Sequence, residues 1–216
     1  MTETLEDEKT YTFDELSGRA KEAARDALRY NEHYLHDEWW DSVYEDAGRV
    51  AVILGIDLMR TVRRRDGAGT YEEHAIHFSG FCSQGGGACF KGSYRFNPKA
   101  VDEMKAYCSD EPLIGIATEL LVMQLARKLR GLEPFSATIS SSGRYSHSGS
   151  MEVEIYFEED DEDPIDEIEA ELLQLMRNFA DWIYSSLEKE HDYLMSDECV
   201  DMQLEDQTFD EDGNEV

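Results

Sequence analysis

Apolar positions recur along this chain in two periods, one near 3.6 and one near 2, and the switches between them mark out the elements. Leu16, Ala20, Ala23, Ala24, Ala27 and Leu28 fall at helical spacing. They follow Thr12 and Glu15, which have the spacing of a capping box and so predict the helix start. A second helix is expected over residues 37–54, with Trp39, Trp40, Val43, Ala47, Val50 and Ile53 inward and Gly55 as its stop. Strand-like segments follow: "IDLMRTVRR", a turn at "DGAG", "TYEEHAIHFSGF", and "ACFKGSYRF". In the last, Phe90, Gly92, Tyr94 and Phe96 alternate with Cys89, Lys91, Ser93 and Arg95.

Pro98 opens a further helix, where its missing N–H costs nothing. Residues 112–129 are apolar around much of a helical circumference, which predicts a buried helix. A second hairpin is expected from "FSATISSSGRY" and "HSGSMEVEIYFEE", where Met151, Val153, Ile155 and Phe157 alternate with Glu152, Glu154 and Tyr156. An acidic run then leads through Pro164 into a long helix with the stripe Ile165, Ile168, Leu172, Leu175, Phe179, Trp182 and Ile183. That stripe suits a partner-binding helix or coiled-coil seam, but a core helix packed on the sheet is the better reading, since coiled coils need sustained heptads. The expected fold is α+β: an antiparallel sheet of about five strands packed by N-terminal, central and long C-terminal helices. One domain would cover residues 1–195, with residues 196–216 an acidic, partly flexible tail in which "QTFDEDGNEV" adds a short strand or turn.

Composition supports a folded chain. Its 216 residues suit one domain, 41% of them are hydrophobic, and 11 Tyr, 9 Phe and 3 Trp exceed what disordered chains carry. Charge narrows the choice of partner. There are 49 acidic and 20 basic residues, a net charge of −29, with 19 of the acids in "ETLEDE", in "EEDDED" and after Ser196. Such a field repels nucleic-acid phosphates and anionic membranes and attracts basic partners. Direct nucleic-acid binding is therefore not expected. Mimicry of nucleic acid is one reading of the charge, and plain solubility or adaptation to high salt is the other. The run Glu158, Glu159, Asp160, Asp161, Glu162 and Asp163 is the candidate contact for a basic partner. With no apolar run of membrane-spanning length and no signal-peptide pattern, a cytoplasmic location with reduced cysteines is expected.

Candidate chemistry is sparse. "FSGFCSQGGGACF" has consecutive glycines whose N–H groups could form an anion nest, but neither the GxGxxG nor the GK[ST] signature is met. Strand signals on both sides make it a hairpin turn first. Ser83, Gln84, Gly85, Gly86 and Gly87 would form a ligand-facing edge if Arg144, Tyr145 and His147 of the second hairpin lie beside it. Cys82 and Cys89 have the wrong spacing for a zinc half-site and read as free thiols. His74 and His77, three apart on a strand, point to opposite faces. His33 and His36 lack a third ligand, so no metal is expected. Arg63, Arg64 and Arg65 form the only compact basic patch, read as pairing internally with carboxylates. No nucleophile–base–acid constellation is present, so no catalytic residue and no cofactor are assigned.

"YTFDELSGRAKEAARD", "DEWWDSVYEDA", "FSGFCSQGGGACFKGSY", "SATISSSGRYSHSGSMEVE" and "FADWIYSSLEKEHDYLMSDE" together resemble a group of small acidic proteins of tailed bacteriophages and prophages, some labelled antitoxins of toxin–antitoxin systems. The resemblance covers nearly the whole chain in the same order. In that group the glycine segment reads S-Q-G-D-G-A; here Gly86 stands in place of the Asp, so a role for that acid does not transfer. The resemblance supplies a phage context but no settled activity. With the net charge and the missing catalytic constellation it leads to the expectation of a phage-encoded, non-enzymatic binding protein acting in the host cell, with a basic host defence or nucleic-acid-handling factor as its partner and homo-oligomerisation possible. A binder that sequesters a phosphorylated nucleotide signal, or a neutraliser of a basic toxin, is the alternative.

Overall fold

A computed structural model describes residues 9–35, 38–65, 69–81, 85–142, 145–157 and 165–216. In chain order the elements are β1 (Tyr11–Thr12), α1 (Gly18–Arg29), α2 (Asp41–Leu54), β2 (Ile56–Leu58), β3 (Arg60–Arg65), β4 (Gly69–His74), β5 (Ile76–Ser79), β6 (Gly87–Phe90) and β7 (Gly92–Arg95). Then follow α3 (Ala100–Tyr107), α4 (Glu111–Leu129), β8 (Ser136–Ser141), β9 (Met151–Tyr156), α5 (Ile165–Leu194), α6 (Asp197–Leu204) and β10 (Thr208–Phe209). The fold is α+β with antiparallel pairing throughout these strands. The chain divides into two compact units, residues 40–188 and residues 1–39 with 189–216.

In the larger unit a four-stranded sheet has the order β2-β7-β8-β9, joined in sequence by the hairpins β3–β4 and β5–β6. Among the described residues the strands number ten rather than about five: β1 and β10 are two of the additions, and breaks within longer strands make the other three. Each of the three long strands read from the sequence breaks at one residue: Met59, Ala75 or Lys91. These three hydrogen-bond to one another. Met59 N–H donates to Lys91 O (2.8 Å), Ala75 N–H to Met59 O (2.7 Å) and Lys91 N–H to Ala75 O (3.1 Å). No backbone polar group is stranded by the bends.

Gly55 ends α2 in the left-handed conformation, φ 81°, and its missing Cβ is required because Arg95 O occupies that space. The core gathers Val50, Leu54, Ile56, Phe90, Tyr94, Leu120, Ile139, Met176, Phe179 and Ile183. Phe90 meets Phe179 edge-on at 5.3 Å, which ties β6 to α5. The inward residues of α5, from Leu172 through Phe179 and Ile183 to Leu187, are those of a core helix. α4 begins at an Asp110 cap that accepts from Leu113 N–H at 3.2 Å. Its buried Gln124 grips the chain entering β8: Nε2 donates to Phe135 O and Phe135 N–H donates to Oε1, both at 3.2 Å.

α4 departs from the all-round burial expected of it. Leu113, Ile116, Ala117 and Leu120 are buried, while Val122, Leu125 and Leu129 face solvent.

The smaller unit corrects the expected tail. Residues 197–204 form α6 behind a Ser196 cap that accepts from Cys199 N–H at 3.3 Å. β10 pairs with β1, Tyr11 opposite Phe209. Phe13, Leu16, Ala20, Ala24, Val200, Leu204 and Phe209 make one hydrophobic cluster. Arg25 grips Asp201 with two hydrogen bonds, 2.6 and 2.7 Å. The sequence hid this because the acids of α6 occupy its outer face and only Cys199, Val200 and Leu204 face in. The Thr12–Glu15 capping box does form, but it closes a single 3₁₀ turn, Phe13–Glu15; Ser17 caps α1.

Candidate functional site

The glycine segment is a hairpin, with Ser79 opposite Gly87, Phe78 opposite Ala88, His77 opposite Cys89 and Ile76 opposite Phe90. Its tip touches the second hairpin. A Cβ on Gly87 would stand 2.7 Å from His147 Cβ, and one on Gly149 would stand 2.7 Å from His147 Cε1. The imidazole-bearing residue therefore sits against two backbones that lack side chains. Ser79 Oγ lies within donor range of both Gly85 O (3.2 Å) and Ser146 O (3.3 Å), so one hydroxyl holds the two loops. Gly85 has φ 104°, a conformation that favours glycine at the turn.

The structure thus seats Gly87 against His147 and ties Gly85 to Ser146 through the Ser79 hydroxyl, with Tyr145 65% exposed in the same loop. Ser83, Gln84 and Arg144, with Cys82, lie outside the described residues, as does the run from Glu158 to Asp163. His36 and residues 66–68, all of the "DGAG" turn but Gly69, also lie outside them.

Sequence reasoning missed the supports. Arg177 of α5 donates to Ser148 O (3.1 Å) and Met151 O (3.3 Å), bracing the turn that carries His147. Tyr184 O–H donates to Gly80 O at 3.3 Å. A half-buried aromatic row runs beside the hairpin: Trp40 meets Phe78 at 5.7 Å, Phe78 stacks on Phe81 at 5.8 Å, and Phe81 meets Tyr184 at 5.4 Å. The one available signal was the density of aromatics in "HFSGF", which also reads as ordinary strand. The corner supplies backbone amides, an imidazole and aromatic faces. Cys89 is buried beneath it, which suits a structural thiol rather than a nucleophile.

A polar cleft of about 320 Å3 lies where α2 faces the β3–β4 hairpin, bordered by Asp41, Tyr44, Glu45, Arg60, Glu73 and His74. Glu73 pairs with Arg63, so at least one arginine of the basic patch is used internally. Burial pushes the Tyr44 phenol well up, helped by the Glu73 charge, and its O–H donates to Ile76 O at 3.1 Å. His74 abuts Gly48, and burial and the Arg60 charge hold its pKa below the ordinary histidine value. Burial, then Arg63 and Lys91, does the same to His77. Both imidazoles are thus biased toward the neutral form. Among the described residues no group of three or more His, Cys, Asp or Glu is placed to hold a metal ion.

The profile of a family described as Domain of unknown function (DUF8835) matches residues 39–197, about three quarters of the chain. The chain belongs to the DUF8835 family. That span takes in the whole of the larger unit, residues 40–188, whereas most of the smaller unit lies in the flanks. The glycine hairpin, His147 and Arg177 all fall within the DUF8835 span. No curated protein and no solved structure matches the chain. Among the described residues no helix is long and apolar enough to cross a membrane.

Proposed function

We propose that this protein is a phage-encoded binding protein without catalytic activity that engages a basic host partner, a defence or nucleic-acid-handling factor, through its acidic surface. The observation carrying this reading is how the two signs of charge are used. Arg25, Arg29 and Arg63 form ion pairs within their own unit, and Arg127 and Arg177 are spent on backbone carbonyls. Against this, residues 152–171 contain twelve acids and no Lys or Arg. Glu152 and Glu154 project to solvent from β9, an edge strand, and Asp166, Glu167 and Glu171 are exposed at the start of α5. These carboxylates flank the Glu158–Asp163 run on both sides. A surface of one sign raises the association rate with a basic groove and suppresses acidic competitors.

The test is co-purification from host lysate at about 50 mM and about 500 mM salt, since such contacts weaken steeply with ionic strength. The wild type is compared with a chain in which Glu152, Glu154, Asp166 and Glu167 become Gln or Asn. Basic proteins retained by the wild type at low salt and lost by the variant support the reading. Partners indifferent to both changes sink it.

A second reading, a binder of a phosphorylated nucleotide, is favoured by the seating of Gly87 against His147 and the tie of Gly85 to Ser146 through Ser79. Nucleotides at millimolar concentration would then raise the melting temperature, and less so in His147→Ala. No shift with any nucleotide removes it.

A further inference from the structure

We propose that α4 carries a self-association surface, and that its occupant is α4 of a second copy of this chain running antiparallel to it. A helix on a protein surface normally shows water a polar face. Here the solvent face of α4 is apolar: Val122, Leu125 and Leu129 are 60%, 41% and 88% exposed. At 100° per residue these three and exposed Thr118 fall within a stripe about 60° wide. Between Pro112 and Ala126 the only charged residue is Glu119, in a chain that is 32% charged overall. Depletion of charge around exposed aliphatic side chains is the compositional mark of an interface core.

Charge selects the occupant. The exposed acids of α4 sit at its start and middle, Glu111 and Glu119, and its exposed bases at its end, Lys128 and Arg130. A strongly basic partner would meet those bases over the stripe's last turn. An antiparallel second copy brings its own Glu119 toward Arg130 instead, and the two helix dipoles oppose. The register follows from the stripe. A two-fold axis midway between Val122 and Leu125 sets Val122 against Leu125 of the second copy and Thr118 against its Leu129. Glu119 and Arg130 lie on the same flank of the stripe. The same axis brings Glu119 to within about 3 Å, measured along the helix, of Arg130 of the second copy. The contact is isologous, so each residue pair occurs twice and the assembly closes at two. Two chains of −29 repel at long range, but at about 0.15 M salt the screening length is about 8 Å and contact pairs outweigh distant charge.

Sedimentation velocity from about 5 to about 500 μM at that salt reads the result, a window that brackets micromolar dissociation constants. The expected outcome is a shift with concentration from the 24.8 kDa chain mass toward twice that value. Leu125→Glu abolishes the shift. Glu119→Arg weakens dimerisation about tenfold, and adding Arg130→Glu restores it, as opposite-charge contacts counted twice require. Circular dichroism of each variant confirms that the fold persists. A wild type that stays at 24.8 kDa throughout overturns the proposal. So does a dimer that Leu125→Glu leaves intact, or a double charge swap that fails to recover in a folded variant.

Discussion

Gln124 offers the sharpest test of how this fold is held together. Its amide side chain is fully buried and satisfies both backbone polar groups of Phe135, itself 1% exposed. Gln124→Ala removes both partners at once and leaves a buried N–H and a buried C=O with none. Each such group costs about 1–3 kcal/mol, and the lost side-chain volume adds to that. The expected loss is about 3–5 kcal/mol, a large part of the roughly 5–15 kcal/mol that holds a typical domain. Urea unfolding followed by tryptophan fluorescence measures it, with an unchanged slope showing that the same surface is exposed.

Gln124→Glu separates the two hydrogen bonds. A carboxylate still accepts from Phe135 N–H but cannot donate to Phe135 O, whereas a protonated carboxyl does both. Burial raises the folded-state pKa of that carboxyl above its unfolded value near 4.3. The variant's stability relative to wild type is therefore best at low pH and is lost as pH rises through the folded value. A loss below about 1 kcal/mol in Gln124→Ala would refute the reasoning. A pH-independent gap in Gln124→Glu would do the same.

Three further outcomes follow from the geometry. Gly87→Ala drives a Cβ into His147 and should cost about 1–2 kcal/mol, part of which His147→Gly recovers in the double variant; purely additive losses would show that the two hairpins are not in contact. Burial depresses the pKa values of His74 and His77, so the unfolded chain binds protons first. Stability should fall as pH drops below about 6.5, and His77→Gln should flatten that slope in melts from about pH 7.5 to 5.5. The Arg25 guanidinium holds the Asp201 carboxyl below the usual range. Its contribution is present above about pH 4 and lost on further acidification, and Asp201→Asn should remove that acid sensitivity from hydrogen exchange in α1 and α6.

Local signals were legible where local physics decides the outcome. Gly55 ends α2, Pro98 precedes α3, and the alternation from Met151 to Phe157 marks an edge strand. The breaks at Met59, Ala75 and Lys91 were not legible, because each is stabilised by hydrogen bonds to residues at least 16 positions away in sequence. The fold of residues 197–209 was hidden for a similar reason: its partners are Phe13, Leu16 and Ala20 at the other end. At the candidate site, the glycine turn could be read, but its seating against His147 depends on Ser79 and Arg177, whose roles are set by tertiary contact alone. The exposed face of α4 was misread because apolar residues all round a helix imply burial in a monomer, and say nothing of burial against another chain.

The pairing of β1 with β10 has a consequence in time. The segment from Tyr11 to Arg29 leaves the ribosome carrying half of a hydrophobic cluster whose other half is Val200, Leu204 and Phe209. Roughly 150 residues of the larger unit are translated in between, a delay of about ten to thirty seconds at ordinary elongation rates. For that interval Phe13, Leu16, Ala20 and Ala24 lack the partners that bury them. The larger unit, whose contacts are complete by residue 188, is free to fold first. The smaller unit closes last, and protease protection at Arg25 or Arg29 should appear in nascent chains only once α6 has emerged.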